Sequence, residues 1–155
     1  MVRAGDHVDD FELPDQAGAP RRLSELLADG PVVLFFYPGA MTPGCTKEGC
    51  HFRDLQSEFA AVGAQRVGIS ADPVVRQSAF ADKHGFDYPL LSDTDRTVAA
   101  SFGVTQGLKL GPVKRMTFVI DTDRQVLEVV KSELRFNSHA DKALAVLRSR
   151  ASGGT

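Results

Sequence analysis

Val32-Val33-Leu34-Phe35-Phe36-Tyr37-Pro38-Gly39-Ala40-Met41-Thr42-Pro43-Gly44-Cys45 is the stretch on which the fold turns. Its first six residues form an unbroken apolar run, β-branched and aromatic and of strand length. Such a run suits a central strand covered on both faces. Pro38-Gly39 ends it. Thr42 then stands as an N-cap with Pro43 at the first helical position. Phe52, Leu55, Phe59 and Val62 recur at helical spacing until Gly63 stops the run. A buried strand that feeds a capped helix begins an α/β unit.

The flanking sequence extends the pattern. Upstream, Phe11 and Leu13 alternate before the turn chemistry of Asp15-Gln16-Ala17-Gly18, which predicts a hairpin over residues 8–23. A short helix follows over 24–29 and ends at Gly30. Downstream, Val67-Gly68-Ile69-Ser70 is the next strand, and Asp72-Pro73 opens a helix, with Asp72 as cap and Pro73 at N1, that runs to Gly85. Pro89-Leu90-Leu91 reads as a short strand and residues 97–102 as a short helix closed by Gly103. Met116-Thr117-Phe118-Val119-Ile120 and residues 125–130 flank Asp121-Thr122-Asp123-Arg124, an antiparallel hairpin. Ser138 caps a last helix through Leu144 and Leu147. Residues 104–114, rich in glycine and lysine, read as a surface loop. The whole is an α/β domain over residues 1–150 with a mixed central β-sheet flanked by helices, and residues 151–155 form a flexible tail.

Composition narrows the function classes. The chain has 155 residues, 43% hydrophobic and 25% charged, which is the balance of a globular domain. A net charge of -2 provides no basic field for nucleic acid or an anionic membrane. The longest apolar run is far short of the ~18 residues of a membrane span, and the N-terminus lacks the regions of a signal peptide. A cytoplasmic protein is expected. Few apolar residues are stranded on the predicted surface, so a monomer is expected in preference to a homodimer.

Cys45 and Cys50 are the whole cysteine inventory. In a reducing compartment two thiols point to catalysis or metal binding rather than to a structural framework. The spacing is Cys-x4-Cys, not the Cys-x-x-Cys of thioredoxin-like redox motifs. Zinc needs four ligands and only His51 stands near, so neither a metal nor a cofactor is expected. The spacing alone fits two small buried hydrophobes as well as it fits redox chemistry. Position adds more. Cys45 falls in the first helical turn, where free backbone N–H groups and the helix dipole favour a thiolate.

The segment from Phe36 to Cys50 resembles the active site of the peroxiredoxins, with their Pro-x-x-x-Thr-x-x-Cys motif as Pro38, Thr42 and Cys45. The second cysteine, after Glu48, is similar to the bacterioferritin-comigratory or Q-type subfamily. Gly5-Asp6-x-x-x-Asp10-Phe11-x-Leu13 and Arg115-Met116-Thr117-Phe118-Val119-Ile120-Asp121 extend the likeness over nearly the whole chain. The resemblance implies a thioredoxin-like fold with an N-terminal β-hairpin, and a peroxidase acting on hydrogen peroxide and organic hydroperoxides. It implies that Cys45 is the peroxidatic nucleophile and Cys50 the resolving thiol, which condense to a disulfide that thioredoxin or a similar dithiol recycles. Thr42 would donate a hydrogen bond to the peroxide or accept one. Pro38 would shield the thiolate, and Arg115 would bond both thiolate and substrate. Glu48 matches the acidic position that orients this arginine, and also reads as a surface helix glutamate. Gly49 stands where the family often has alanine.

Two other functions fit parts of the pattern. A disulfide carrier would use the same fold, and a non-enzymatic module would use the cysteines structurally or for metal. His51 reads as a helix-surface histidine, and His7, His84 and His139 as surface residues. If both cysteines lie on one helix, a rise of 1.5 Å and a turn of 100° per residue separate their Cα atoms by about 8.7 Å. A disulfide tolerates roughly 7 Å. The turn over residues 46–50 must therefore open in each cycle. Gly44 and Gly49 are expected to ease that opening, and Gly49→Ala to stabilise the reduced protein.

Overall fold

The computed structural model describes residues 1–105 and 112–153. In chain order its elements are β1 (Glu12–Pro14), β2 (Pro20–Arg22), α1 (Leu23–Leu27), β3 (Val32–Phe36), α2 (Pro43–Asp54), α3 (Gln56–Ala61) and β4 (Gln65–Ser70). There follow α4 (Val74–His84), β5 (Leu90–Ser92), α5 (Thr97–Phe102), β6 (Met116–Ile120), β7 (Val126–Lys131) and α6 (Phe136–Gly153). β1 and β2 pair as the N-terminal hairpin, and the other strands form one mixed sheet ordered β5-β4-β3-β6-β7. β4 runs parallel to β3 and β5, and β6 antiparallel to β3 and β7. The architecture is thioredoxin-like.

β3 organises the core because successive side chains of a strand point to opposite faces. Val32, Leu34 and Phe36 pack on one side with Leu23, Leu26 and Leu27 of α1 and Val98, Ala99 and Phe102 of α5. Val33, Phe35 and Tyr37 face the other side, against Phe52, Phe59 and Phe80 and the Ala140–Leu147 stripe of α6. Phe35 stacks on Phe52 with ring centroids 4.1 Å apart, which seats α2 on the sheet. This explains the unbroken apolar run: β3 has no wet face.

Several boundaries differ from expectation. The helix expected to run unbroken to Val62 is divided at Leu55 (φ -94°, ψ 20°), yet Phe52 and Phe59 stay on the same core. Pro73 is the N-cap of α4 rather than its first helical residue. The Asp72 carboxylate makes no cap hydrogen bond and instead accepts from Ala40 N and Ser70 Oγ, both at 2.7 Å. α6 starts at Phe136, so Ser138 lies inside it and donates to Arg135 O. It continues to Gly153, into the stretch expected as tail. In the expected loop, Val104 and Val113 are buried, and Thr105 and Val113 form a bridge. Residues 106–111 and 154–155 lie outside the described residues. Among the described residues, no helix is long and apolar enough to cross a membrane.

Candidate active site

Cys45 sits in the first turn of α2, three residues after the N-cap Thr42, and is 2% exposed. Arg115, immediately before β6, donates from Nη2 to its Sγ at 3.3 Å and from Nη1 to Glu48 Oε1 at 2.8 Å. The guanidinium also lies over the Phe136 ring, 4.8 Å from its centroid. Gly44 makes this approach possible. A Cβ there would stand 2.8 Å from the Phe136 ring, too close without a shift of that ring, and a tight 3.1 Å from Arg115 Nη2.

Glu48 is fully buried and accepts from Arg115 Nη1, so it is no surface glutamate. Its Oε2 finds no hydrogen-bond partner among the described residues, and burial pushes the carboxyl up to about 8 against the pull of Arg115. Burial opposes the charge on Arg115 too. Glu48 and Cys45 outweigh it, however, and hold the guanidinium above its ordinary range. His139, expected at the surface, is 0% exposed. Its Nε2 meets Ser132 O and its Nδ1 meets Thr117 Oγ1, each at 2.8 Å, with Glu48 Oε2 at 3.7 Å from Nδ1. A carbonyl can only accept, so Nε2 carries the proton. Burial lowers the pKa of His139 and keeps it neutral, leaving Nδ1 to accept from Thr117. Its place on the apolar face of α6 was readable from the sequence, since Ala143 and Leu147 follow at intervals of four.

The loop between β3 and α2 is held from α4. Asp72 accepts from Ala40 N, and Arg76 donates to Ala40 O at 3.1 Å while pairing with Asp72 at 3.0 Å. No sequence signal marked Asp72 or Arg76 for this role. Met41, next in line, has φ +70°, a left-handed backbone that costs a non-glycine residue of order 1–3 kcal/mol. Thr42 occupies the N-cap position, but its hydroxyl donates to Gly39 O at 2.7 Å and makes no cap hydrogen bond. Pro38 is exposed at the end of β3. The burial of Cys45 comes from the cluster holding Val33, Phe35, Tyr37 and Ala40.

Cys50 lies on the same uninterrupted helix as Cys45, half-buried, and both are free thiols. Gly49 carries a packing constraint that the sequence did not announce. Its missing side chain admits Phe86 and Tyr88: a Cβ would stand 2.6 Å from Phe86 Cζ and 3.2 Å from Tyr88 Oη. His51 is half-exposed on α2 and bonds Asp141 of α6 at 2.7 Å, which ties the two helices together.

A thioredoxin-like sheet with a cysteine at a helix start, an arginine on its sulfur and a buried glutamate behind is the pattern of a known family. The AhpC/TSA family matches residues 4–129, and the chain belongs to it. Peroxiredoxin Bcp of Escherichia coli K12 is 36% identical over 97% of this chain and 98% of its own length. Chloroplastic peroxiredoxin Q of Sedum lineare is 40% identical over 90% of this chain and 74% of its own. The crystal structure of peroxidoxin BcpB from Mycobacterium tuberculosis shares 68% identity and superposes with a TM-score of 0.92, covering 96% of this chain and 98% of that one. These likenesses support a thiol peroxidase, with a hydroperoxide as substrate and a thiol as reductant.

Proposed function

We propose that the protein reduces hydroperoxides through a Cys45 sulfenic acid and a Cys45–Cys50 disulfide, and that thioredoxin or a similar dithiol recycles it. The observation that carries this reading is the Arg115 Nη2 contact with Cys45 Sγ at 3.3 Å in the first turn of α2. A fixed cation and the helix N-terminus both face the sulfur that attacks. The Cys45 thiolate takes one oxygen of the O–O bond, the bond breaks, and the electron pair leaves with the second oxygen as alkoxide or hydroxide. Arg115 stabilises that developing charge, and solvent supplies the proton. Thr42 has committed its own proton to Gly39 O, so it serves the peroxide as an acceptor. Pro38 belongs to the rim of the site, and Glu48 orients Arg115.

The Cys45 sulfenic acid then condenses with the Cys50 thiol, forming the S–S bond and releasing water. Two exchange steps pass this disulfide to an external dithiol, restoring both thiols. The cytoplasm is the setting that supplies such a reductant.

One equivalent of hydrogen peroxide added to the reduced protein tests the reading by intact mass. Loss of two hydrogens is expected. Cys45→Ser should consume no peroxide, and Cys50→Ser should gain one oxygen and stop. An unchanged parent mass, or equal loss of the first oxidation in both variants, overturns it.

A further inference from the structure

Tyr88 is buried between α4 and β5, and its hydroxyl donates to Gly49 O at 2.7 Å. Gly49 stands one residue before Cys50, in the turn that must open if Cys50 is to reach Cys45. Three neighbours fix Tyr88 in place. Its ring stacks on Phe86, centroids 5.2 Å apart, and the Arg66 guanidinium lies 5.1 Å above its centroid. From the N-terminal hairpin, Gln16 donates from Nε2 to Tyr88 O at 3.0 Å and accepts from Leu90 N at 2.8 Å. The same region grips the end of α2: Arg66 donates to Phe52 O and Arg53 donates to His84 O. At the other end, Arg115 holds Glu48. Between these two anchored ends, the Tyr88 hydroxyl is the hydrogen bond from outside the helix that holds the backbone carbonyl next to Cys50.

We propose that Tyr88, seated by Gln16, is a positioning residue for the resolving step: its hydroxyl latches the turn bearing Cys50 and sets how often that turn opens. This rests on the reading of Cys45 and Cys50 as a disulfide-forming pair. Opening breaks the Tyr88–Gly49 bond, so the latch slows condensation of the sulfenic acid with Cys50. It thereby lengthens the time in which a second peroxide can oxidise Cys45. In that competing step the sulfenate takes one oxygen to become a sulfinate, and the second peroxide leaves as alcohol or water. Tyr88→Phe removes the hydroxyl, keeps the ring against Phe86 and Arg66, and leaves no orphaned donor. One ordinary intramolecular hydrogen bond corresponds to about fivefold in the opening equilibrium.

The test compares parent, Tyr88→Phe and Gln16→Ala, all fully reduced. Amide exchange followed by mass spectrometry reads the opening of residues 46–50. Rapid quench with thiol alkylation reads the oxidation and disulfide steps separately. In Tyr88→Phe we expect exchange about fivefold faster, Cys45 oxidation unchanged and disulfide formation about fivefold faster. The peroxide concentration that gives half sulfinic acid should rise by about the same factor, and Gln16→Ala should move each quantity in the same direction. Exchange or disulfide rates equal to the parent's in Tyr88→Phe overturn the latch. A parent that forms no Cys45–Cys50 disulfide overturns the reading of Cys50 itself. The exchange rate, which needs neither thiol, tells the two failures apart.

Discussion

Gly49→Ala brings two opposed effects onto one methyl group. In a helix interior alanine is favoured over glycine by about 1 kcal/mol, so propensity alone predicts a more stable reduced protein and a slower disulfide step. Packing says otherwise. The new Cβ would stand 2.6 Å from Phe86 Cζ, 3.1 Å from Phe86 Cε2 and 3.2 Å from Tyr88 Oη. Phe86 cannot swing clear, because it is packed edge-on against Phe80 at 5.0 Å and stacked on Tyr88 at 5.2 Å. Overpacking of this kind costs about 1–3 kcal/mol. Subtracting the propensity gain leaves a net loss centred near ~1 kcal/mol. For a chain of this length that lowers Tm by about 2–4 °C. The strain exists only while the turn is closed, so opening relieves it and disulfide formation should quicken by about fivefold for a net ~1 kcal/mol. Thermal unfolding of the reduced variant, followed by far-ultraviolet circular dichroism, measures the first effect. Quenched intact-mass kinetics measure the second. A Tm above the parent's, or a slower disulfide step, would refute the packing argument and restore the propensity argument.

Arg115→Ala should slow Cys45 oxidation by about 10²–10³-fold, the effect of removing one preorganised donor, while Arg115→Lys keeps the charge without the planar fork and rescues only part. Competition kinetics against a second peroxidase read both, and an unchanged rate in Arg115→Ala would remove this residue from the site. Glu48 should make stability fall as pH rises. Its folded value of about 8 exceeds the ordinary 4.5, so between those values the folded state holds a proton that the unfolded state has lost. The slope that Glu48 contributes should be no steeper than about 1.4 kcal/mol per pH unit, and urea unfolding of Glu48→Gln across the same pH range should lack that contribution.

Local patterns carried most of the fold. The two-sided burial of β3 was legible because a strand covered on both faces has no polar alternation to display, and Val32 to Tyr37 has none. The hairpin of β6 and β7 was legible from its turn, and α5 from its closing glycine. Caps were the weak point. Thr42, Asp72 and Ser138 have the right side chains for N-caps, and each bonds elsewhere: to Gly39 O, to Ala40 N and to Arg135 O. A short polar side chain has several backbone partners within reach, and its choice depends on segments that sequence spacing does not bring into view.

The same division runs through the site. Cys45 was marked by its own neighbours, since a cap, a proline and a helix start are adjacent in the chain. Arg115 was not. It lies 70 positions from Cys45 and 67 from Glu48, so only resemblance to a family brought the three together before the structure did. His139 and Tyr88 had no such help. A histidine on an apolar helical face and a tyrosine beside a short strand look like ordinary core residues. What places each is a contact across the fold: Thr117 Oγ1 and Ser132 O for His139, the Gly49 carbonyl for Tyr88. Gly49 makes the point in reverse. Its sequence context advertises a flexible residue, whereas its surroundings use the absent side chain to seat Phe86 against the helix. Flexibility and close approach are both reasons for a glycine, and the neighbours alone decide between them.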